Sequence, residues 1–276
     1  MTGAQALQAA LPRLTAAGIA APMGDARRLL AHALQVPPGR LTLVLHDPLP
    51  EAAQARFEAA IAARATRQPV SQITGTRAFF GRDFHVTPDV LDPRPETEAL
   101  VLAALDRPAA RLLDLGTGSG CILLTLLAEW PEATGLGIDS SAAALAVAGR
   151  NARALDVQDR AELRTGDWLT GLAGPFDLIV SNPPYITESD HATLSPEVRD
   201  WEPRGALTPG GDGLDAYRRI LPGVPALLAE GGRVLLEIGV GQDDDVGRIA
   251  RAAGFARIAC LPDLDGRGRV MALSCG

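Results

Sequence analysis

The sequence predicts an α/β protein: a mostly parallel seven-stranded sheet closed by a C-terminal antiparallel hairpin, preceded by a small helical domain. Two observations carry this. From Glu96 onward short apolar runs alternate with helical stretches, as in a parallel sheet with crossover helices. The charge also changes along the chain: residues 1–70 carry a net charge of +3 and residues 71–276 a net charge of −10, which suggests two domains.

In the first segment Ala26, Leu29, Leu30, Ala33 and Leu34 recur at helical spacing, as do Phe57 and Ile61. Pro22, Pro37 and Pro38, and Pro48 and Pro50 punctuate the helices, while Pro12 interrupts the first helical pattern. Residues 71–95 turn to β-branched and aromatic residues broken by Gly and Pro, which suits a hairpin linking the domains. Strands are expected at 111–115, 134–138, 162–165, 176–181 and 233–238, with helices over 121–128 and 142–154. Two last runs, 256–261 and 269–274, are joined by a turn too short for a helix and therefore pair antiparallel. The expected domains are 1–70, 71–95 as linker, and 96–276.

Composition excludes several functions. The overall charge of −7 is the wrong sign for a protein that blankets phosphates, so extensive contact with nucleic acid is not expected. All 26 basic residues are Arg. Without Lys there is no P-loop lysine, pyridoxal Schiff base or lysine general base. Cys121, Cys260 and Cys275 form no CxxC pair, so neither a disulfide framework nor a metal site is expected. The N-terminus lacks the basic region of a signal peptide and no apolar run is long enough to span a bilayer. A cytoplasmic protein with no membrane association follows.

The chemistry concentrates at strand ends. In LLDLGTGSG, residues 112–120, a GxGxG loop follows a buried strand and opens a helix; its glycines allow close backbone approach, and the helix N-terminus offers free N–H groups. Asp139 ends the next strand, where an acid accepts hydrogen bonds from both ribose hydroxyls of an adenosine. A nicotinamide cofactor satisfies both features equally well. A third feature decides. Asn182, Pro183, Pro184 and Tyr185 follow the fourth strand at the carboxyl edge, where such sheets bind ligands. The prolines remove two N–H donors and leave carbonyls free; Asn182 adds another acceptor and Tyr185 an aromatic face. Together they form a receptor for a planar NH2 group.

The pairing of DLGTGSG with NPPY resembles class I, Rossmann-like methyltransferases that use S-adenosyl-L-methionine to modify amino groups conjugated to a π-system. FFGRDFHV, PRPETEALV, SNPPYI, EPRGAL with GGDGLDAYRRI, LLEIG and DGRGRV are more specific. As a set, spanning residues 69–270, they resemble the HemK/PrmC family of protein-(glutamine-N5) methyltransferases of peptide chain release factors. Ser71-Gln72-Ile73 and Asp92 depart from the family pattern, which has a Tyr-Ile pair and an aliphatic residue there.

The resemblance implies that the enzyme methylates the glutamine of a Gly-Gly-Gln motif in release factors, modulating translation termination, and leaves S-adenosyl-L-homocysteine. It implies that Gly116, Thr117, Gly118, Ser119 and Gly120 line the methionine part of the cofactor and Asp139 holds the ribose. Asp167 and Trp168 would flank the adenine. Asn182 would face both cofactor and target amide, acting catalytically with Pro183 and Tyr185, and Pro184 would help frame the glutamine. Glu96 and Glu98 of PRPETE are expected close to the cofactor. The helical segment would recognise the substrate, and a monomer is the expected state. Alternatives are a glutamine of a ribosomal protein and the exocyclic amine of adenine in DNA; the net −10 of the catalytic segment argues against the second.

Overall fold

The computed structural model describes all residues, Met1 to Gly276. The chain forms two compact units: Met1–Thr76 with Ser195–Trp201, and Arg77–Leu194 with Glu202–Gly276.

The first unit is helical: α1 (Gly3–Ala16), α2 (Pro22–Leu34), α3 (Glu51–Ala65) and α4 (Val70–Thr74). Thr2 starts α1 with a reciprocal capping box to Gln5, and the helix runs through Pro12. Pro22 opens α2 at a position where a missing N–H costs nothing. Leu7, Leu14, Leu29, Leu30, Phe57 and Ile61 meet in its core. Residues 71–74, expected in the hairpin linker, instead continue a helix from Val70 that ends at Gly75 in the left-handed region. Ser195–Trp201, from the loop that follows NPPY in sequence, belongs to this unit. Its Glu197 bridges Arg64 at 2.9 Å and Arg67 at 2.6 Å, while Arg64 also holds Asp25 at 2.8 Å. The Trp201 carbonyl accepts from Gln72.

The hairpin β1 (Thr76–Phe79) and β2 (Arg82–His85) leads into the second unit. Its sheet comprises β3 (Arg111–Leu115), β4 (Thr134–Asp139), β5 (Ala161–Thr165), β6 (Phe176–Ser181), β7 (Leu228–Glu237), β8 (Arg257–Pro262) and β9 (Gly268–Ser274). The order is β5-β4-β3-β6-β7-β9-β8, with β9 antiparallel to both neighbours and every other pair parallel. The expected strands are all present. β7 begins five residues earlier than the expected strand, before Gly231 and Gly232.

Both faces of the central strands are buried, which is why they read as unbroken apolar runs. On one face Leu112, Leu178 and Leu235 pack with Leu100 of α5 (Glu98–Leu105) and Leu123 of α6 (Cys121–Glu129). On the other, Leu113, Ile179 and Leu236 pack with Tyr217 of α8 (Asp215–Ile220) and Val246 of α9 (Asp243–Ala252). The helix between β4 and β5, α7 (Ala142–Ala154), is capped by the Ser141 hydroxyl. The strand order reverses between β3 and β6, so their carboxyl ends open a crevice.

Candidate active site

A cavity of about 390 Å³ lies over that crevice, and all of its lining residues belong to the second unit. The Gly-rich loop forms one wall. Gly116 and Thr117 both donate N–H to the Ile138 carbonyl, and the Gly118 N–H bonds Asp139 Oδ2 at 2.9 Å. Gly116, Gly118 and Gly120 all have positive φ, which only glycine adopts without strain. A Cβ at Gly116 would touch the Trp168 ring, whereas one at Gly120 would meet Leu124 at 2.7 Å. Gly116, Thr117, Gly118 and Ser119 therefore line the cavity, while Gly120 packs behind it and starts α6. The N-cap residue of that helix, Gly120, has no side chain to cap it, while the Asp114 carboxyl lies against the Leu123 N–H of its first turn.

Asp139 stands at the end of β4 on the cavity wall. Its Oδ1 accepts from Ser141 N and its Oδ2 from Gly118 N, which fixes the carboxylate while each oxygen keeps a further lone pair for a hydroxyl. Trp168, with φ of 50°, turns its ring against the loop, and Asp167 is bridged to Arg219 at 2.5 Å. Asn182 and Pro184 line the cavity. Pro183 is buried and Tyr185 half-buried, and neither lines it. The Tyr185 hydroxyl points inward and donates to Glu237 Oε1 at 3.2 Å.

Of the two PRPETE glutamates, Glu98 accepts from the Phe80 N–H and fixes the end of the hairpin, while Glu96 is exposed; neither lines the cavity. The residue between them does. Thr97 is buried, lines the cavity and accepts from Asn182 Nδ2 at 3.1 Å, and its hydroxyl donates to Glu237 Oε2 at 2.6 Å. The sequence reading missed Thr97 and Glu237. The available signal was a carboxylate ending a buried strand beside NPPY. It also missed Asn151, whose buried amide donates to the Ser119 and His85 carbonyls and accepts from the His85 N–H, tying the Gly-rich loop to the hairpin. Asp92, the departure from the aliphatic pattern, is buried 3.7 Å from Arg77.

Burial pushes two carboxyls at the site up to about 7. Asp114, beneath the loop, is held by the Thr117 hydroxyl at 2.7 Å, and Glu237 by Thr97 and Tyr185. The Cys121 thiol, on the cavity wall, is pushed up by burial to about 12 and is neutral near pH 7.

A family model for the PrmC N-terminal domain matches residues 5–75, and one for the methyltransferase small domain matches residues 93–212. The chain is 61% identical to a release factor glutamine methyltransferase of Cereibacter sphaeroides, over 98% of each protein. The chain belongs to the release factor glutamine methyltransferase family. A relative of the same description from Rhodospirillum rubrum is 50% identical over 94% of this chain and 81% of its own length. Among solved structures, a methyltransferase from Pyrococcus furiosus superposes with a TM-score of 0.55 at 17% identity, over 80% of this chain and 99% of that one; this likeness shows the fold. The chain is thus a methyltransferase of the mostly parallel, seven-stranded α/β class, and no helix is long and apolar enough to cross a membrane.

Proposed function

We propose that the chain transfers the methyl group of S-adenosyl-L-methionine to the side-chain amide nitrogen, N5, of the glutamine in the Gly-Gly-Gln motif of peptide chain release factors. The observation that carries this reading is Asn182 of NPPY standing on the wall of the same cavity as the Gly-rich loop, Asp139 and Trp168.

The residues present fit the cofactor. A Cβ at Gly116 would stand in the space before the loop, 3.6 Å from the Trp168 ring, and Asp139 is an anchored acceptor beside it. In this reading Gly116, Thr117, Gly118 and Ser119 hold the methionine part, with Gly120 supporting the turn; Asp139 holds the ribose, and Trp168 and Asp167 the adenine. When bound, the cofactor supplies an activated methyl on a sulfonium.

The remaining work falls to the chain's own residues. An amide nitrogen shares its lone pair with its carbonyl and attacks poorly unless that pair is aimed. Acceptors at Asn182 Oδ1 and the Pro183 carbonyl hold the two N–H bonds out of line with attack, and Pro184 and Tyr185 frame the glutamine. Orientation of this kind supplies up to ~7–11 kcal/mol. No strong base is required, because the nitrogen becomes acidic only as the new bond forms.

The helical unit recognises the folded factor, and the enzyme acts as a cytoplasmic monomer. The net −10 of residues 71–276 disfavours a DNA substrate. Incubating the purified protein with labelled S-adenosyl-L-methionine and a release factor should add one methyl group at the Gly-Gly-Gln glutamine, located by mass spectrometry. Label on a ribosomal-protein glutamine and none on the factor would favour the sister substrate.

A further inference from the structure

The amide of Asn182 performs its task in one sense only. Its carbonyl must face the substrate N–H, yet an Asn side chain rotated by half a turn fits the same space and presents N–H to N–H. The chain contains a device that settles the choice. Asn182 Nδ2 meets Thr97 Oγ1 at 3.1 Å, and Thr97 Oγ1 meets Glu237 Oε2 at 2.6 Å. A hydroxyl has a single proton. Ionised Glu237 is acceptor only, so the Thr97 proton is committed to it and only a lone pair is left towards Asn182. A lone pair accepts N–H and repels a carbonyl. Tyr185 holds the other oxygen, Oε1, at 3.2 Å, which restrains the carboxylate from turning away, and the Tyr217 hydroxyl anchors the strand end through the Glu237 backbone carbonyl at 2.8 Å. Thr97 and Glu237 are each 1% exposed, which keeps water from substituting for either partner.

We propose that Thr97 and Glu237 are positioning residues that fix the Asn182 amide with Nδ2 inward and Oδ1 towards the substrate. The inference rests on the glutamine reading and adds to it a relay in which neither residue touches substrate. Protonation of Glu237 would let the carboxyl donate to Thr97 and reverse the polarity of the relay. Charged and titratable groups face Glu237 from five elements: Arg269 of β9, Glu96 before α5, Cys121 of α6, Tyr185 after β6 and Tyr217 of α8. Activity therefore rises with pH as Glu237 ionises near 7.

The test is steady-state and single-turnover kinetics on an intact release factor, with cofactor affinity read by calorimetry. Thr97→Val keeps the shape and removes the hydroxyl. It should lower kcat at least 30-fold while KM for the factor and cofactor affinity move less than threefold. Thr97→Ser should restore most of the activity. Glu237→Gln, which still offers Thr97 an acceptor, should retain turnover within about fivefold and flatten the pH dependence near 7. Thr97→Val placed on Asn182→Ala should add no further loss, since the two act through one group.

Wild-type kcat in Thr97→Val, a Thr97→Ser variant as impaired as Thr97→Val, or additive losses in the double variant would each overturn the proposal. If Thr97→Val does not fold, the Thr97→Ser and Glu237→Gln arms decide. An inactive wild type would overturn the substrate reading instead; thermal unfolding against pH then tests the relay, because loss of the Thr97 donor should move the Glu237 midpoint upward, and an unmoved midpoint would refute it.

Discussion

Two clusters of buried charge, one in each unit, are handled in opposite ways. In the helical unit Arg64 is 8% exposed and meets Asp25 and Glu197, and Arg67 reinforces Glu197. Burial raises the Glu197 carboxyl, but the hydrogen bonds from Arg67 and Arg64 outweigh it and hold the group below its ordinary range. In the catalytic unit Asp114 and Glu237 are buried against hydroxyls, and both are pushed up to about 7. The difference separates two purposes. The Glu197 cluster favours one protonation state and one arrangement, whereas Asp114 and Glu237 sit near their ionisation point and keep their proton inventory open to the site. Pairing alone does not decide, because Glu202 of the catalytic unit, buried against Arg94 at 2.6 Å, is also pushed up to about 7 by burial.

Arg64→Met should break the comparison on the helical side with the largest effect. It leaves Asp25 and part of Glu197 without their cation, and a buried pair that loses one partner typically costs about 3–5 kcal/mol. The denaturant midpoint of the helical unit should fall accordingly; an unchanged midpoint would show the cluster to be solvated.

On the catalytic side the sign is opposite to that of a salt-bridged acid. Glu237 rises from an ordinary 4.5 to about 7, so the folded state binds a proton that the unfolded state has already released. Its contribution to stability is full below about pH 4.5 and is lost as pH rises to 7, by up to ~1.4 kcal/mol per pH unit. Thermal unfolding of Glu237→Gln should show a shallower loss over that window than the parent. Equal slopes would mean that Glu237 is ionised throughout.

Asp139 is a third kind of carboxylate, held by backbone N–H groups. Asp139→Ala should weaken cofactor binding by roughly 1.5–3 kcal/mol through lost charged hydrogen bonds, read by calorimetry. The smallest effect belongs to Arg219→Ala. That residue and Asp167 are more than half exposed, and exposed pairs contribute about 0–1 kcal/mol, so cofactor affinity should change less than fivefold.

The sheet was legible because its central strands are buried on both faces and bounded by Gly, Asp and Asn. The start of β7 was not, since Glu230, Gly231 and Gly232 carry a turn signal and form an irregularity with Gly231 at positive φ, before which Leu228 already pairs with Phe176. The cavity wall was legible where function demands special backbone, at the Gly-rich loop and NPPY. Thr97 and Glu237 escaped because they lie 140 residues apart and a Thr between two glutamates draws no attention. The helical assignment of residues 71–74 escaped because β-branched Ile73 and Thr74 favour strand locally.

Ser195–Trp201 gives the helical unit a timetable. The ribosome makes Arg64 and Arg67 first, and about 130 residues pass before Glu197 emerges. At ~5–20 residues per second that is on the order of ten seconds, during which Arg64 has Asp25 as its one carboxylate and the Gln68 carbonyl beside it. The helical unit is therefore not finished when its helices are; its last piece arrives after the nascent chain has already delivered the Gly-rich loop and NPPY. A truncation at Thr76 in either direction separates the unit from its own final segment. Any half-molecule designed to isolate recognition from catalysis has to carry Ser195–Trp201 with the helices.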